Sequence, residues 1–176
     1  MAVIGRRFSL SLLTLVMDEA GDELYQLIDH LRQAEFIYEE TTHGEAGYRF
    51  KHELTKEVTY DSLTVEQRSA LHERAGLAIE TLFHHHLQDH YSELAYHYSR
   101  SGNTRKAVEY LTLVGQQTLY HGAYETALIH LTAAVELLKA LPDTIERTQW
   151  ELLLEIALGE ALSFTKGHGE PRNGGS

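Results

Sequence analysis

At 176 residues and 43% apolar content the chain is long enough for one or two domains with a buried core. It has no cysteine, which excludes disulfides, thiolate metal sites and a cysteine nucleophile and fits a reducing, cytoplasmic setting. Fifteen Lys and Arg stand against 26 Asp and Glu, for a net charge of −11, and the deficit is spread: 6 against 11 over residues 1–60, and 9 against 15 over the rest. Neither half offers the basic footprint that phosphate neutralisation needs, so no nucleic acid and no membrane surface is expected as a partner.

Two prolines, ten tyrosines and long runs without turn residues predict a mostly helical protein. Arg6 and Arg7 precede the apolar run FSLSLLTLVM in the order of a secretory signal. The run is too short to span a bilayer, ends in Asp18 and Glu19, and lacks a small-x-small cleavage site. It reads instead as a core helix, Ser9 to Met17, with Phe8, Leu12, Leu13 and Val16 on one face. Asp22 to Ala34 is a second helix, with Leu24, Leu27, Ile28 and Leu31 at helical spacing. Phe36 to Glu40 and Tyr48 to Lys51 read as strands joined by the polar loop Thr-Thr-His-Gly-Glu-Ala-Gly.

Helix, helix, hairpin is the later part of a winged helix, so residues 1–51 are expected to form a partial winged helix with one small β-hairpin. Its absent first helix would leave Leu12, Val16, Leu27 and Leu31 short of cover, and the chain reads as an excerpt of a longer protein. Residues 52–88 supply a joint helix, His52 to Ser62, and a long helix starting near Val65 behind a Thr64/Gln67 capping box.

From Tyr91 onward a repeat is visible. Gly102-x4-Ala107-Val108-x2-Leu111 matches Gly122-x4-Ala127-Leu128-x2-Leu131, twenty residues later. Small residues sit twelve apart twice, Ala95 to Ala107 and Gly115 to Ala127, as at close helix crossings in a tetratricopeptide hairpin. That repeat has a period of roughly 34 residues, so the shorter spacing marks successive helices of a solenoid. Asp143 with Glu146 predicts the cap of a further helix carrying Trp150, Leu153, Leu154, Ala157, Leu158, Ala161 and Leu162. The helix before it supplies Leu128, Leu131, Val135 and Leu138 as partner. The expected fold is mainly α: a partial winged helix, then an antiparallel helical-hairpin, tetratricopeptide-like solenoid over 89–166, and a disordered tail over 167–176.

The sixteen residues Tyr48 to Leu63, YRFKHELTKEVTYDSL, carry a resemblance. Through Phe50, Lys51, His52, Leu54, Glu57, Tyr60, Ser62 and Leu63 the stretch resembles the joint between winged helix and helical repeats in STAND-type signalling ATPases, many of which also carry a nucleotide cyclase domain. Upstream AVIGRRFSLSLL and downstream LSFTKGHG are similar to the flanking parts of that family, except that Arg7 stands where an acidic residue is usual. The resemblance implies a bacterial-type signal-transduction setting and a joint built around Phe50, His52, Glu57 and Tyr60. It also implies contacts with protein or peptide, including other domains of the parent chain.

Chemistry-bearing patterns are sparse. No G-x4-G-K-[ST] loop, G-x-G-x2-G turn or G-x-S-x-G elbow is present, so no cofactor or catalytic residue is expected in this segment. His84, His85, His86 and His90 cluster, and His86 and His90, four apart on a helix, are weak metal candidates. Solvated histidines at a helix end are the plainer reading. His52 reads as a helix-start residue hydrogen-bonding strand to helix, and Glu57 with Tyr60 as a local polar contact. Glu39 and Glu40, neighbours on a strand, point to opposite faces. The winged helix's reading helix carries Asp22, Glu23 and Asp29 against Arg32, which suits protein rather than DNA. The leading expectation is a non-enzymatic regulatory and protein-interaction segment. The alternatives are a DNA-contacting piece of a transcription regulator and a metal-dependent hydrolase using the His84–His90 cluster.

Overall fold

A short strand opens a computed structural model that describes residues 1–17, 21–42 and 45–167. The order is β1 (Arg7–Ser9), α1 (Leu10–Met17), α2 (Asp22–Gln33), β2 (Ile37–Thr42), β3 (Glu45–Phe50), α3 (Glu53–Asp61), α4 (Val65–Leu82), a 3-10 turn (Leu87–His90), α5 (Tyr91–Tyr98), α6 (Thr104–Tyr120), α7 (Tyr124–Leu138) and α8 (Ile145–Gly167). The protein is mainly helical with a small antiparallel sheet. Its chain divides into two compact units, the first comprising Met1–His90 with Arg100–Gly102 and the second Tyr91–Ser99 with residues 103–176.

In the first unit the sheet has three strands in the order β1-β3-β2, one more than the predicted hairpin. Phe8 therefore lies on a strand opposite Tyr48, not on the first helix. Ser9 ends the strand and caps the helix, its hydroxyl accepting from the Leu12 amide at 3.1 Å. The hairpin ladder is also longer than predicted, running through Glu40↔Gly47, Thr41↔Ala46 and Thr42↔Glu45. Threonine favours the pleated conformation, and most of the expected loop is consumed by strand.

α2 is capped by Ala34 and closed by Glu35, whose φ of 58° is left-handed without being glycine. The Phe36 amide reaches the Leu31 carbonyl and the Glu35 amide that of Arg32, a Schellman closure. Apolar alternation then buries Phe8, Leu13, Leu24, Ile28, Ile37, Tyr48 and Phe50 together. Val16, expected to lack cover, is 1% exposed because Ala75 and Ala78 of α4 pack on it. Leu27 remains exposed. The capping box at α4 forms as read: the Thr64 hydroxyl accepts from the Gln67 amide at 3.2 Å, and Gln67 Oε1 accepts from the Thr64 amide at 2.9 Å.

In the second unit α6 packs between α5 and α7, and α8 packs on α7 while also meeting α6. Both repeat glycines adopt left-handed conformations, φ 65° at Gly102 and 75° at Gly122, ahead of α6 and α7. At Gly122 the turn is another Schellman closure, with amides of Gly122 and Ala123 bonded to carbonyls of Leu119 and Thr118. All four small residues of the twelve-residue spacing are buried. A Cβ placed on Gly115 would stand 2.7 Å from Leu131 Cγ and Cδ2, so α6 and α7 approach there as closely as a glycine allows.

The predicted stripes are narrower than read. On α8, Leu154, Ala157 and Ala161 are buried, whereas Leu153 and Leu162 are exposed. On α7, Leu131 and Leu138 are buried and Leu128 and Val135 only half so. The α8 cap falls one residue later than predicted, since the Thr144 hydroxyl accepts from the Arg147 amide at 3.2 Å. Glu146 is drawn away to Arg105. α8 continues to Gly167, and the rest of the predicted tail lies outside the described residues.

Candidate functional site

Two places bring functional-looking side chains together, one in each unit. In the first, the joint between α3 and α4 is held by side chains that the linear motif only half contains. Phe50 is buried, its ring 5.9 Å from that of Phe8. Tyr60, half-buried, places its hydroxyl 3.0 Å from His72 Nε2 on α4, with the rings edge-on.

His72 is fully buried. Burial first, and the charge of Arg100 second, push its pKa from the usual 6.5 down to about 4, so the imidazole is neutral at physiological pH. Arg68 spans the connection, donating from Nε to the Leu63 carbonyl at 3.1 Å and from Nη2 to that of Asp61 at 3.0 Å, while its guanidinium lies 4.7 Å from the Tyr60 ring. Carbonyls at the end of a helix have no internal partner, and a guanidinium supplies two donors to this turn.

Other motif residues are placed differently from expectation. His52 occupies the N-cap position of α3 with extended backbone, but its exposed side chain makes no cap hydrogen bond. Glu57 is exposed, and the polar contact of Tyr60 goes to His72 rather than to Glu57. His72 and Arg68 were not singled out from the sequence. A signal was there for His72, which shares helical spacing with the buried Ala75 and Ile79.

The histidine cluster does not share one α-helix: α4 ends at Leu82, His84 to His86 form a turn, and His90 closes the 3-10 turn Leu87–His90. His86 and His90 therefore lack the one-face geometry of helical i, i+4 ligands. His90 stacks on Phe83 with centroids 3.9 Å apart. Among the described residues no group of three or more His, Cys, Asp or Glu side chains is arranged to hold a metal ion.

The cations near the sheet are engaged. Arg32 reaches Asp29 at 3.1 Å and Glu39 at 3.5 Å, and Arg7 and Arg49 both meet Glu40, at 3.4 and 3.5 Å. Glu39 and Glu40 thus serve different partners, as alternation along a strand requires.

In the second unit α6 and α8 run side by side in the same direction. At their starts Arg105 donates from Nε and Nη2 to Glu146 Oε1 at 3.0 and 2.6 Å, which holds the Glu146 carboxyl below its usual range. Between the end of α6 and the middle of α8 lies a cavity of about 280 Å³ lined by Gln116, Leu119, Tyr120, Leu153, Ile156, Ala157 and Glu160. Tyr120 is 90% exposed, Ile156 61% and Leu153 47%. Large side chains bared together on a pair of packed helices can bury area against another molecule. No helix among the described residues is long and apolar enough to cross a membrane.

Comparison with known proteins adds one distant relative. The chain is 27% identical over 167 residues, 94% of its own length, to an uncharacterized protein of Rhizobium meliloti (strain 1021), of which it spans 16%. No protein-family model matches the chain, and no solved structure does.

Proposed function

We propose that this chain is a non-catalytic regulatory and protein-contact segment of a larger signal-transduction ATPase, a partial winged helix followed by tetratricopeptide-like helical hairpins. A strand, two helices and a hairpin with the order β1-β3-β2 support the first part. Left-handed glycines ahead of α6 and α7, with buried small residues at their crossings, support the second. The far greater length of the Rhizobium relative accords with a segment inside a bigger protein. ATP hydrolysis in such a parent would belong to a part other than this one.

The observation that carries the reading is the exposed apolar surface between α6 and α8, formed by Tyr120, Leu153 and Ile156. Concave helical surfaces bind peptides and other domains without catalytic residues. Selection of displayed random peptides against the folded chain tests it. The expected result is a set of peptides that compete for one site and lose binding to Ile156→Asp and Tyr120→Ala. Selected peptides that bind both variants as well as the parent chain overturn it.

A further inference from the structure

We propose that the outward face of α8, with the groove it forms against α6, docks a basic amphipathic helix; this rests on the protein-contact reading above and names the partner's chemistry. At 3.6 residues per turn, Leu152 and Ile156 lie on the side of α8 turned away from the buried Leu154, Ala157 and Ala161. They are 58% and 61% exposed. The same strip continues through Gly159, where a Cβ would meet nothing within 4 Å, so a partner backbone can approach closely. Glu160 borders the strip on the α6 side and Glu155 on the other, and both are exposed.

Among the described residues no cation answers the charges on these two edges. In this unit Arg105, Lys106, Lys139 and Arg147 each meet a carboxylate, namely Glu146, Glu109, Glu136 and Asp143. Glu155 and Glu160 form no ion pair among the described residues. An apolar strip between two carboxylate edges is complementary to a helix with an apolar face flanked by Lys or Arg. A second copy of the chain fits poorly, because at a net charge of −11 it brings carboxylates to carboxylates.

Three labelled helical peptides with leucines at i, i+4 and i+7 test the proposal by fluorescence anisotropy. One has Lys flanking the apolar face, one has Glu in those places, and one is a scramble of the basic peptide. The expected result is micromolar binding of the basic amphipathic peptide, tighter than the acidic one by about tenfold or more. Glu155→Lys with Glu160→Lys should reverse that preference. Ile156→Asp should abolish binding while circular dichroism stays unchanged, since the position is exposed.

Equal binding of basic and acidic peptides would overturn the charge assignment and leave the protein-contact reading standing. Binding of the scramble as tightly as the ordered peptide would overturn docking on the strip. Absence of binding by all three, with Ile156-dependent peptides still emerging from random selection, would sink this proposal alone; absence from both would sink the two together. A dimer in sedimentation that Ile156→Asp dissociates would assign the face to a second copy instead.

Discussion

A histidine without solvent exposure, hydrogen-bonded to a tyrosine, acts as a neutral structural group. His72 has a folded pKa near 4 against 6.5 when unfolded, so between these values the unfolded chain binds a proton that the folded chain does not. Stability from this residue is therefore complete above about pH 6.5 and is lost as pH falls toward 4. From pH 7.5 to pH 5 the loss should be on the order of 2 kcal/mol, at 1.36 kcal/mol per unit. Urea denaturation of the parent chain and of His72→Gln at both pH values measures it. The glutamine variant retains a polar contact for Tyr60 and should lose most of this pH dependence, and identical slopes for the two proteins would remove His72 as the cause.

At the scale of the element, helix termini and crossings decide the fold. Thr64 closes a reciprocal capping box at α4, and Thr64→Ala should cost about 1 kcal/mol in chemical denaturation. Ala107 and Ala127 are 1% and 0% exposed. Ala107→Leu or Ala127→Leu should overpack the crossing and cost about 1 to 3 kcal/mol each; variants that melt like the parent would refute the register of α5, α6 and α7. Gly115 carries a sharper version of the same argument. Gly115→Ala gains up to about 1 kcal/mol of helix propensity, but its methyl would meet Leu131, itself 0% exposed and unable to move aside. Net destabilisation is expected in thermal melts.

For the whole molecule the governing quantity is charge. A net −11 spread over both halves, with the sheet-side arginines already paired to carboxylates, opposes approach to phosphate. Mixed-sequence duplex DNA at moderate salt should give no electrophoretic shift. Micromolar binding with a steep salt dependence would instead favour the DNA-contacting alternative and overturn the protein-contact reading.

Helix periodicity, capping chemistry and turn glycines were legible in the chain because each is local. The Thr64/Gln67 box, the α6 and α7 starts and the core spacing on α2 depend on residues a few positions apart. Strand β1 was not legible, since three residues carry no periodicity and their strand state exists only because β3 pairs with them. The histidine turn was misread as helix, because a run of polar residues continues a pattern whether or not the backbone does. At the candidate sites, sequence singled out Phe50 and Tyr60, but the pairing of Tyr60 with His72 spans twelve residues and the meeting of Arg105 with Glu146 spans forty-one. Likewise Leu153, read as core, is half-exposed beside Tyr120. Composition settled the charge, and local spacing settled most helices. Only tertiary packing decided which apolar residues stay in solvent, because burial depends on which face a distant helix covers.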